Sequence, residues 1–227
     1  MNNEKGIIFA ADIIDKSSLL KIITEVSPFI KAIKIGNIVL YEHGWKIISE
    51  IKKISDLPII LDLKFMDIPD MAEKVAKAAY DVKADGVMLC GATGSNTISE
   101  FMRYHKTMKV FVFTEFTHCD GEINKTMADK YIETAVTLGC DGVQVPGTKE
   151  KRIREVRENV GNDLIIICCG IGSQKACGKG NETTNFGSAI EAGADYEIIG
   201  RAIYESNTPR EAALIAQTKI KNVLNNE

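Results

Sequence analysis

The feature that most constrains the fold of this chain is a series of eight short apolar, β-branched runs separated by longer segments of helical character. Near-continuous apolar runs are typical of parallel strands that are covered on both faces. The runs are Ile7–Ala11, Ala32–Gly36, Pro58–Phe65, Gly86–Gly91, Lys109–Phe116, Gly142–Gly147, Asp163–Gly170 and Tyr196–Arg201. Eight strand–helix units predict an α/β protein, a TIM (β/α)8 barrel that forms one domain over residues 1–227. An open doubly wound sheet is the alternative.

Residues between the runs provide signals for where the helices begin and end. Ser17 is expected to cap the first helix, Ser95-Asn96 to open the fourth, and Thr208-Pro209 to open the last. Glycines are expected where helices stop, at Gly139, Gly161 and Gly193.

Composition excludes several classes of function. The 28 basic and 31 acidic side chains give a net charge of −3, so a nucleic acid or an anionic membrane is not expected as the main partner. No apolar run approaches the ~18 residues of a membrane span, and no secretory signal is recognised at the N-terminus. The six cysteines include no Cys-x-x-Cys pair, which predicts free thiols in a reducing cytoplasm. No cluster has metal-ligand spacing, so no metal is expected.

The third run carries charged residues where the chemistry of a barrel is located. Active sites of TIM barrels lie at the C-terminal ends of the strands. Asp62 and Lys64 are two residues apart, so a regular strand would point both side chains to the same face, and Asp67 follows in the loop. Removing such charges from water costs several kcal/mol each unless they are paired. We therefore interpret the three residues as catalytic candidates.

Two neighbouring strands add a second pair of opposite charges. Asp12 ends the first run and Lys34 lies in the second. With Asp62, Lys64 and Asp67 they form an alternating array, in which carboxylates favour the ammonium form of the lysines. Lys64 is then expected to donate a proton rather than to form a Schiff base.

A phosphate site is predicted after the last two runs. Gly170 opens a glycine-containing loop that includes Gln174, and Gly200-Arg201 closes the eighth run. Loops after strands 7 and 8 often bind phosphate in this fold, because glycine lets backbone N–H groups approach the anion and arginine binds it bidentately. The irregular stretch from Ile171 to Glu182 is long for a compact barrel and is expected to be functional.

These residues resemble the orotidine 5′-phosphate decarboxylase family, most closely its compact archaeal-type members. The resemblance covers nearly the whole chain and is strongest in Asp62-x-Lys64-x-x-Asp67-Ile68-Pro69. Ala-Ile-Lys-Ile-Gly at residues 32–36 and Ile-Ile-Gly-Arg-Ala-Ile-Tyr at residues 198–204 support it. The resemblance implies conversion of orotidine 5′-monophosphate (OMP) to uridine 5′-monophosphate (UMP), the last step of de novo UMP biosynthesis, without a cofactor.

The same resemblance implies a role for each matched residue. Lys64 would protonate C6 of the pyrimidine as carbon dioxide leaves, and Asp62 would lie against the substrate carboxylate. Asp67, followed by Ile68, would enter the site from the second subunit of a homodimer. The remaining substrate contacts would be made to ribose by Asp12 and Lys34, to the pyrimidine edge by Thr117, and to phosphate by Gln174, Gly200 and Arg201.

Three positions depart from the family pattern. Met71 stands where the family usually has a threonine that reaches the partner's ribose site. Cys169 replaces a proline before the phosphate loop at Gly170, and Thr117 replaces a serine. We keep Met71, Cys169 and Gly170 as substrate-binding candidates whose contacts differ from the usual ones.

Two other functions remain open. The Asp-x-Lys-x-x-Asp core is shared by sugar-phosphate decarboxylases and hexulose-phosphate synthases, so a related decarboxylase or aldolase, including a magnesium-dependent one, is the first alternative. A non-catalytic nucleotide-binding barrel is the second, and the intact Asp62, Lys64 and Asp67 argue against it.

Overall fold

A closed barrel of parallel strands forms the centre of the protein. The computed structural model describes residues 5–117, 125–172 and 185–225. The strands are β1 (Gly6–Ala10), β2 (Ala32–Gly36), β3 (Ile59–Phe65), β4 (Gly86–Cys90), β5 (Lys109–Phe113), β6 (Gly142–Pro146), β7 (Ile165–Cys169) and β8 (Tyr196–Ile199). They pair in sequence order, and β8 closes onto β1 with Gly6 opposite Tyr196. The predicted TIM barrel is confirmed, and the open sheet is excluded.

Helices within the described residues follow the strands. They are α1 (Lys16–Val26), α2 (Asn37–His43), α3 (Lys46–Ile51), α4 (Pro69–Asp81), α5 (Ser95–Met102), α6 (Lys125–Thr137), α7 (Glu150–Val160), α8 (Ser188–Glu191), α9 (Arg201–Tyr204) and α10 (Pro209–Leu224). The predicted cap at Ser17 is wrong, because Asp15 accepts a hydrogen bond from the Ser18 amide at 2.8 Å and caps α1. Thr208 is the N-cap of α10, as predicted.

Alternation along the strands divides the buried residues into two layers. One layer, which includes Ile33, Leu61 and Val87, packs between the strands and the helices. The other layer fills the inside of the barrel with side chains such as Phe111 and Ile167. Because this inner layer occupies the barrel interior, space for a ligand remains at the C-terminal ends of the strands.

The regular alternation fails at the end of β3. The pairing of β3 with β4 shifts between Asp62 and Phe65, and Lys64 has a φ of 41°, a left-handed conformation that is uncommon for residues other than glycine. The regular strand predicted here is therefore wrong at Lys64. Asn37, the first residue of α2, supports the irregular backbone by donating a hydrogen bond from Nδ2 to the carbonyl oxygen of Leu63 at 2.9 Å.

In residues 5–117, 125–172 and 185–225, no helix is both long and apolar enough to cross a membrane. Within the same ranges, no three His, Cys, Asp or Glu side chains come together as a metal site would require.

Candidate active site

A cavity of about 300 Å³ opens at the C-terminal ends of the strands. It brings together nine of the predicted site residues: Asp12, Lys34, Asp62, Lys64, Thr117, Cys169, Gly170, Gly200 and Arg201. They come from β2, β3 and β7, from the segments that follow β1, β5, β7 and β8, and from the start of α9, which are far apart in the chain. Closure of the barrel therefore assembles the site.

Ion pairs connect the charged residues Asp12, which follows β1, Lys34 on β2, and Asp62 and Lys64 on β3. The Nζ atom of Lys34 lies 2.8 Å from Oδ2 of Asp62 and 3.6 Å from Oδ1 of Asp12. The Nζ atom of Lys64 lies 2.7 Å from Oδ1 of Asp62. Asp62 thus accepts from both lysines, and the order of charges is Asp12, Lys34, Asp62, Lys64.

Burial and neighbouring charges shift the pKa values of Lys34 and Asp62, the two most buried residues of the array, in opposite directions. Lys34 and Asp62 are each only 6% exposed. Burial alone would lower the pKa of Lys34, but the charges of Asp62 and Asp12 outweigh it and raise that pKa above its usual value. Burial alone would raise the pKa of Asp62, but Lys34 and Lys64 outweigh it and lower that pKa. The pair therefore stays charged inside the barrel.

Lys64 is held in an unusual backbone conformation with an accessible ammonium group. Its side chain is 39% exposed, and Nζ lies 5.5 Å from the centre of the Phe113 ring on β5. Left-handed backbone at a non-glycine residue costs on the order of 1–3 kcal/mol and is frequent at functional sites. The fold therefore keeps Lys64 at the cavity in spite of strain.

Gly36 makes room for the array. A Cβ atom at this position would collide with Oδ1 of Asp12. Only glycine leaves the Asp12 carboxylate in its place beside Lys34. The structure therefore gives a steric reason for the glycine in Lys-Ile-Gly, and the sequence pattern alone did not supply that reason.

The predicted phosphate residues that the structure describes follow β7 and β8. Gly200 follows β8, and Arg201 begins α9. Gly170 follows β7 with a φ of 87°, which favours glycine, and it packs against the side chain of Thr117. Gln174 and most of the loop from Ile171 to Glu182 lie outside the described residues.

Three predicted site residues do not line the cavity of their own chain. Asp67 and Ile68 are exposed, and Met71 lies half-buried in the first turn of α4. The carboxylate of Asp67 accepts a hydrogen bond from the Ile68 amide at 2.7 Å, and its carbonyl oxygen accepts one from Oγ1 of Thr97 at 2.9 Å. The loop after β3 is thus anchored to α5, and its exposed side chains face solvent.

Several residues at the site were not identified from the sequence. Phe113, Gln144 and Tyr204 line the cavity, and Asn37 holds the bulge next to Lys64. For Gln144 the signal was a polar residue in an otherwise apolar strand. For Asn37 it was a polar residue directly after Lys-Ile-Gly.

A buried ion pair supports the segment that leads to Thr117. Glu115, two residues after the end of β5, is 5% exposed and accepts a hydrogen bond from Nε of Arg152 on α7 at 2.7 Å. Lys149 lies 3.2 Å from the same carboxylate. These contacts fix the backbone just before Thr117, and sequence reasoning had not singled out any of the three residues.

Comparisons with known proteins agree with one another. The family model described as "Orotidine 5'-phosphate decarboxylase / HUMPS family" matches residues 5–215. Among curated proteins, the chain is 36% identical to the orotidine 5′-phosphate decarboxylase of Pyrococcus furiosus over 208 residues, which are 91% of this chain and 93% of that protein. It is 34% identical to that of Methanocaldococcus jannaschii over 222 residues, 96% of this chain and 98% of the other.

Solved structures of orotidine 5′-phosphate decarboxylases are also similar to this chain. The orotidine 5′-phosphate decarboxylase of Pyrococcus horikoshii OT3 matches with a TM-score of 0.84 and 30% identity, over 95% of this chain and 99% of that one. The Methanocaldococcus jannaschii enzyme, complexed with inhibitor BMP, matches with a TM-score of 0.85 and 30% identity, over 96% of this chain and 99% of that one.

Proposed function

The chain belongs to the orotidine 5′-phosphate decarboxylase / HUMPS family, and from that premise we propose that it is an orotidine 5′-phosphate decarboxylase. It is a carboxy-lyase that converts OMP to UMP in the last step of de novo pyrimidine biosynthesis. The observation that carries this proposal is the array of Asp12, Lys34, Asp62 and Lys64 in one cavity with Gly200 and Arg201.

The charge array suits the chemistry of this decarboxylation. Loss of carbon dioxide from C6 leaves an electron pair in an sp² orbital, which no cofactor delocalises. The site must therefore stabilise the charge electrostatically and supply a proton in place. An ammonium group ~4 Å from that charge contributes about 4 kcal/mol at an effective dielectric near 20. Lys64 is the accessible cation of the array and is assigned this role.

Asp62 and the ribose-binding residues Asp12 and Lys34 position the substrate beside Lys64. Asp62, placed beside the substrate carboxylate, repels it in the bound substrate, and that repulsion disappears as neutral carbon dioxide forms. Asp12 and Lys34 hold the ribose hydroxyls, and Thr117 holds the pyrimidine edge. These roles need charged Lys34 and Asp62, in agreement with the directions of their pKa values.

Binding of the remote phosphate supplies a further part of the rate acceleration. Arg201 and Gly200, with Gln174 from the loop after β7, bind the phosphate dianion. Binding energy from a non-reacting part of a substrate can be used in the transition state when it holds the reacting part in position. A single lysine falls far short of typical enzymatic accelerations, so this contribution is required.

A homodimer that shares Asp67 between subunits is part of the proposal. Large apolar side chains are exposed in the segments after β1, β2 and β3: Ile14, Ile38, Tyr41, Met66 and Ile68. Hydrogen bonds tie the segment after β2 to its neighbours, from His43 to the Ile14 carbonyl after β1 and from Asn37 to the Leu63 carbonyl near the end of β3. Exposed apolar groups concentrated in linked segments favour a protein interface. Asp67 lies between Met66 and Ile68 and would reach the partner's cavity.

The test is incubation with OMP, following UMP formation with and without EDTA. Conversion that is unaffected by EDTA is expected, because Lys64 and Lys34 supply the positive charge. Loss of activity with the chelator would favour a metal-dependent sugar-phosphate enzyme of the same family. Binding of OMP without a single turnover would instead indicate a non-catalytic nucleotide-binding barrel.

A further inference from the structure

Gln144 places an amide group inside the barrel among apolar neighbours. It is the middle residue of β6, and its side chain is only 3% exposed. Its strand partners are Phe113 on β5 and Ile167 on β7, both members of the inner apolar layer. Burying an amide without good partners costs free energy, so its hydrogen bonds need to be accounted for.

The hydrogen-bonding capacity of the Gln144 side chain is only partly used by the described residues. Within the part of the chain that the structure describes, its one hydrogen bond runs from Nε2 to Sγ of Cys169, at 3.0 Å. A primary amide has two N–H donors and a carbonyl acceptor, and a thiol is a weak acceptor. Because Gln144 lines the cavity, its unused capacity is available to a ligand.

The amide lies beside the charge array. Burial raises the pKa of the Cys169 thiol to about 11, and the charges of Lys64, Asp62 and Lys34 also act on it. Cys169 and Gln144 line the same cavity as Lys34, Asp62 and Lys64, so the amide lies near the place where C6 of the pyrimidine is proposed to bind. Both lysines are already paired with Asp62, whereas the Gln144 amide is neutral and, among residues 5–117, 125–172 and 185–225, bonds only to the sulfur of Cys169.

We infer that Gln144 is a specificity-determining residue whose amide N–H binds the carboxylate at C6 of OMP. This inference rests on the proposed function. A carboxylate placed against Asp62 needs a donor that does not neutralise Asp62, and a neutral amide meets that need. As carbon dioxide leaves, its oxygens lose their charge and the hydrogen bond weakens. The contact therefore strengthens substrate binding more than it stabilises the transition state.

The test is Gln144→Leu, which removes the amide and keeps a similar volume. Loss of a hydrogen bond to a charged acceptor predicts a KM for OMP raised by about tenfold or more, with kcat not lowered. The inhibition constant of UMP, which lacks the carboxylate, should change by less than about twofold. The Lys64→Ala and Lys64→Ala/Gln144→Leu proteins should not turn over. Titration of OMP into each gives a dissociation constant, and the ratio of the two constants measures the loss of OMP binding directly.

Gln217→Leu is the matched control, because Gln217 lies on α10 and bonds the Phe29 carbonyl outside the cavity. Gln217→Leu should change neither the KM for OMP nor the inhibition constant of UMP. Equal losses for OMP and UMP, or no loss, would overturn the inference. If Gln144→Leu fails to fold, Gln144→Met, which keeps the unbranched shape, replaces it. Failure of the wild-type protein to convert OMP would contradict the proposed function instead, so the two failures are distinguishable.

Discussion

The ammonium group of Lys64 lies 2.7 Å from Oδ1 of Asp62, although the backbone between the two residues is not a regular strand. The bulge and the left-handed conformation of Lys64 determine how its side chain reaches the carboxylate. Asn37 ties this backbone to α2 through the Leu63 carbonyl. The position of the proposed proton donor thus depends on contacts between β3 and the elements on both sides of it.

Lys64→Ala should abolish decarboxylation while the protein remains folded. The substitution removes the proton donor and one cation together, but Lys34 still compensates the buried Asp62. UMP formation and thermal unfolding measure the two effects. Lys77→Ala, which removes an exposed lysine on α4, should leave turnover unchanged. Near-normal turnover by Lys64→Ala would refute the proposed mechanism.

Arg201→Ala should raise KM and also lower kcat for OMP, because phosphate binding energy is used in the transition state. Phosphite dianion should partly restore activity of the wild-type protein on a substrate that lacks the phosphate. Steady-state kinetics of Arg201→Ala provides the measurement, with Arg103→Ala, a change in a surface arginine directly after α5, as the control. An unchanged kcat/KM in Arg201→Ala would remove this residue from the site.

Gly36→Ala should impair catalysis about as strongly as Asp12→Ala. The added Cβ atom collides with the Asp12 carboxylate and displaces it from Lys34. We expect the double variant to be little worse than either single variant, because both changes remove the same contact. The kcat/KM values of the three variants test this coupling. Additive losses would show that Gly36 acts in another way.

Subunit mixing tests whether Asp67 is shared. Lys64→Ala and Asp67→Ala chains, each inactive alone, are mixed in equal amounts and allowed to exchange. Random exchange makes roughly half of the dimers mixed, and one site in each mixed dimer is intact, so about a quarter of all sites should work. Mass measurement confirms the exchange. An exchanged mixture without activity would show that Asp67 serves its own chain.

Glu197 should make stability depend on pH. Burial raises the pKa of this carboxyl to about 7 from 4.5, although the Gly187 and Ala189 amides donate to it. Between these values the folded state binds more protons than the unfolded state. The free energy of unfolding should therefore fall as pH rises through this window and level off above about 7, a change on the order of 3 kcal/mol.

Glu197→Gln should remove this part of the pH dependence, since a glutamine does not titrate. Denaturant unfolding at several pH values between 4.5 and 7.5 compares the variant with wild type and with Glu73→Gln, a change at an exposed position. If the free energy of unfolding of wild type and of Glu197→Gln changed with pH in the same way, Glu197 would not titrate in this range.

Local sequence patterns determined the order of strands and helices and the identity of the charged residues. Runs of apolar β-branched residues specify strands by their own periodicity, and glycines such as Gly161 specify where helices end. All eight strands were predicted on this basis. The ends of the strands also indicated Asp12, Lys34, Asp62 and Lys64, because polar residues interrupt the apolar runs there.

Tertiary structure alone decided the geometry of the site. The bulge at Lys64, the space that Gly36 leaves for Asp12, and the burial of Gln144 beside Cys169 each depend on residues from a different strand. Closure of the barrel creates these contacts, and no local periodicity records them. The physical reason is that propensity and alternation act over a few residues, whereas burial and ion pairing are set by elements that meet only after folding.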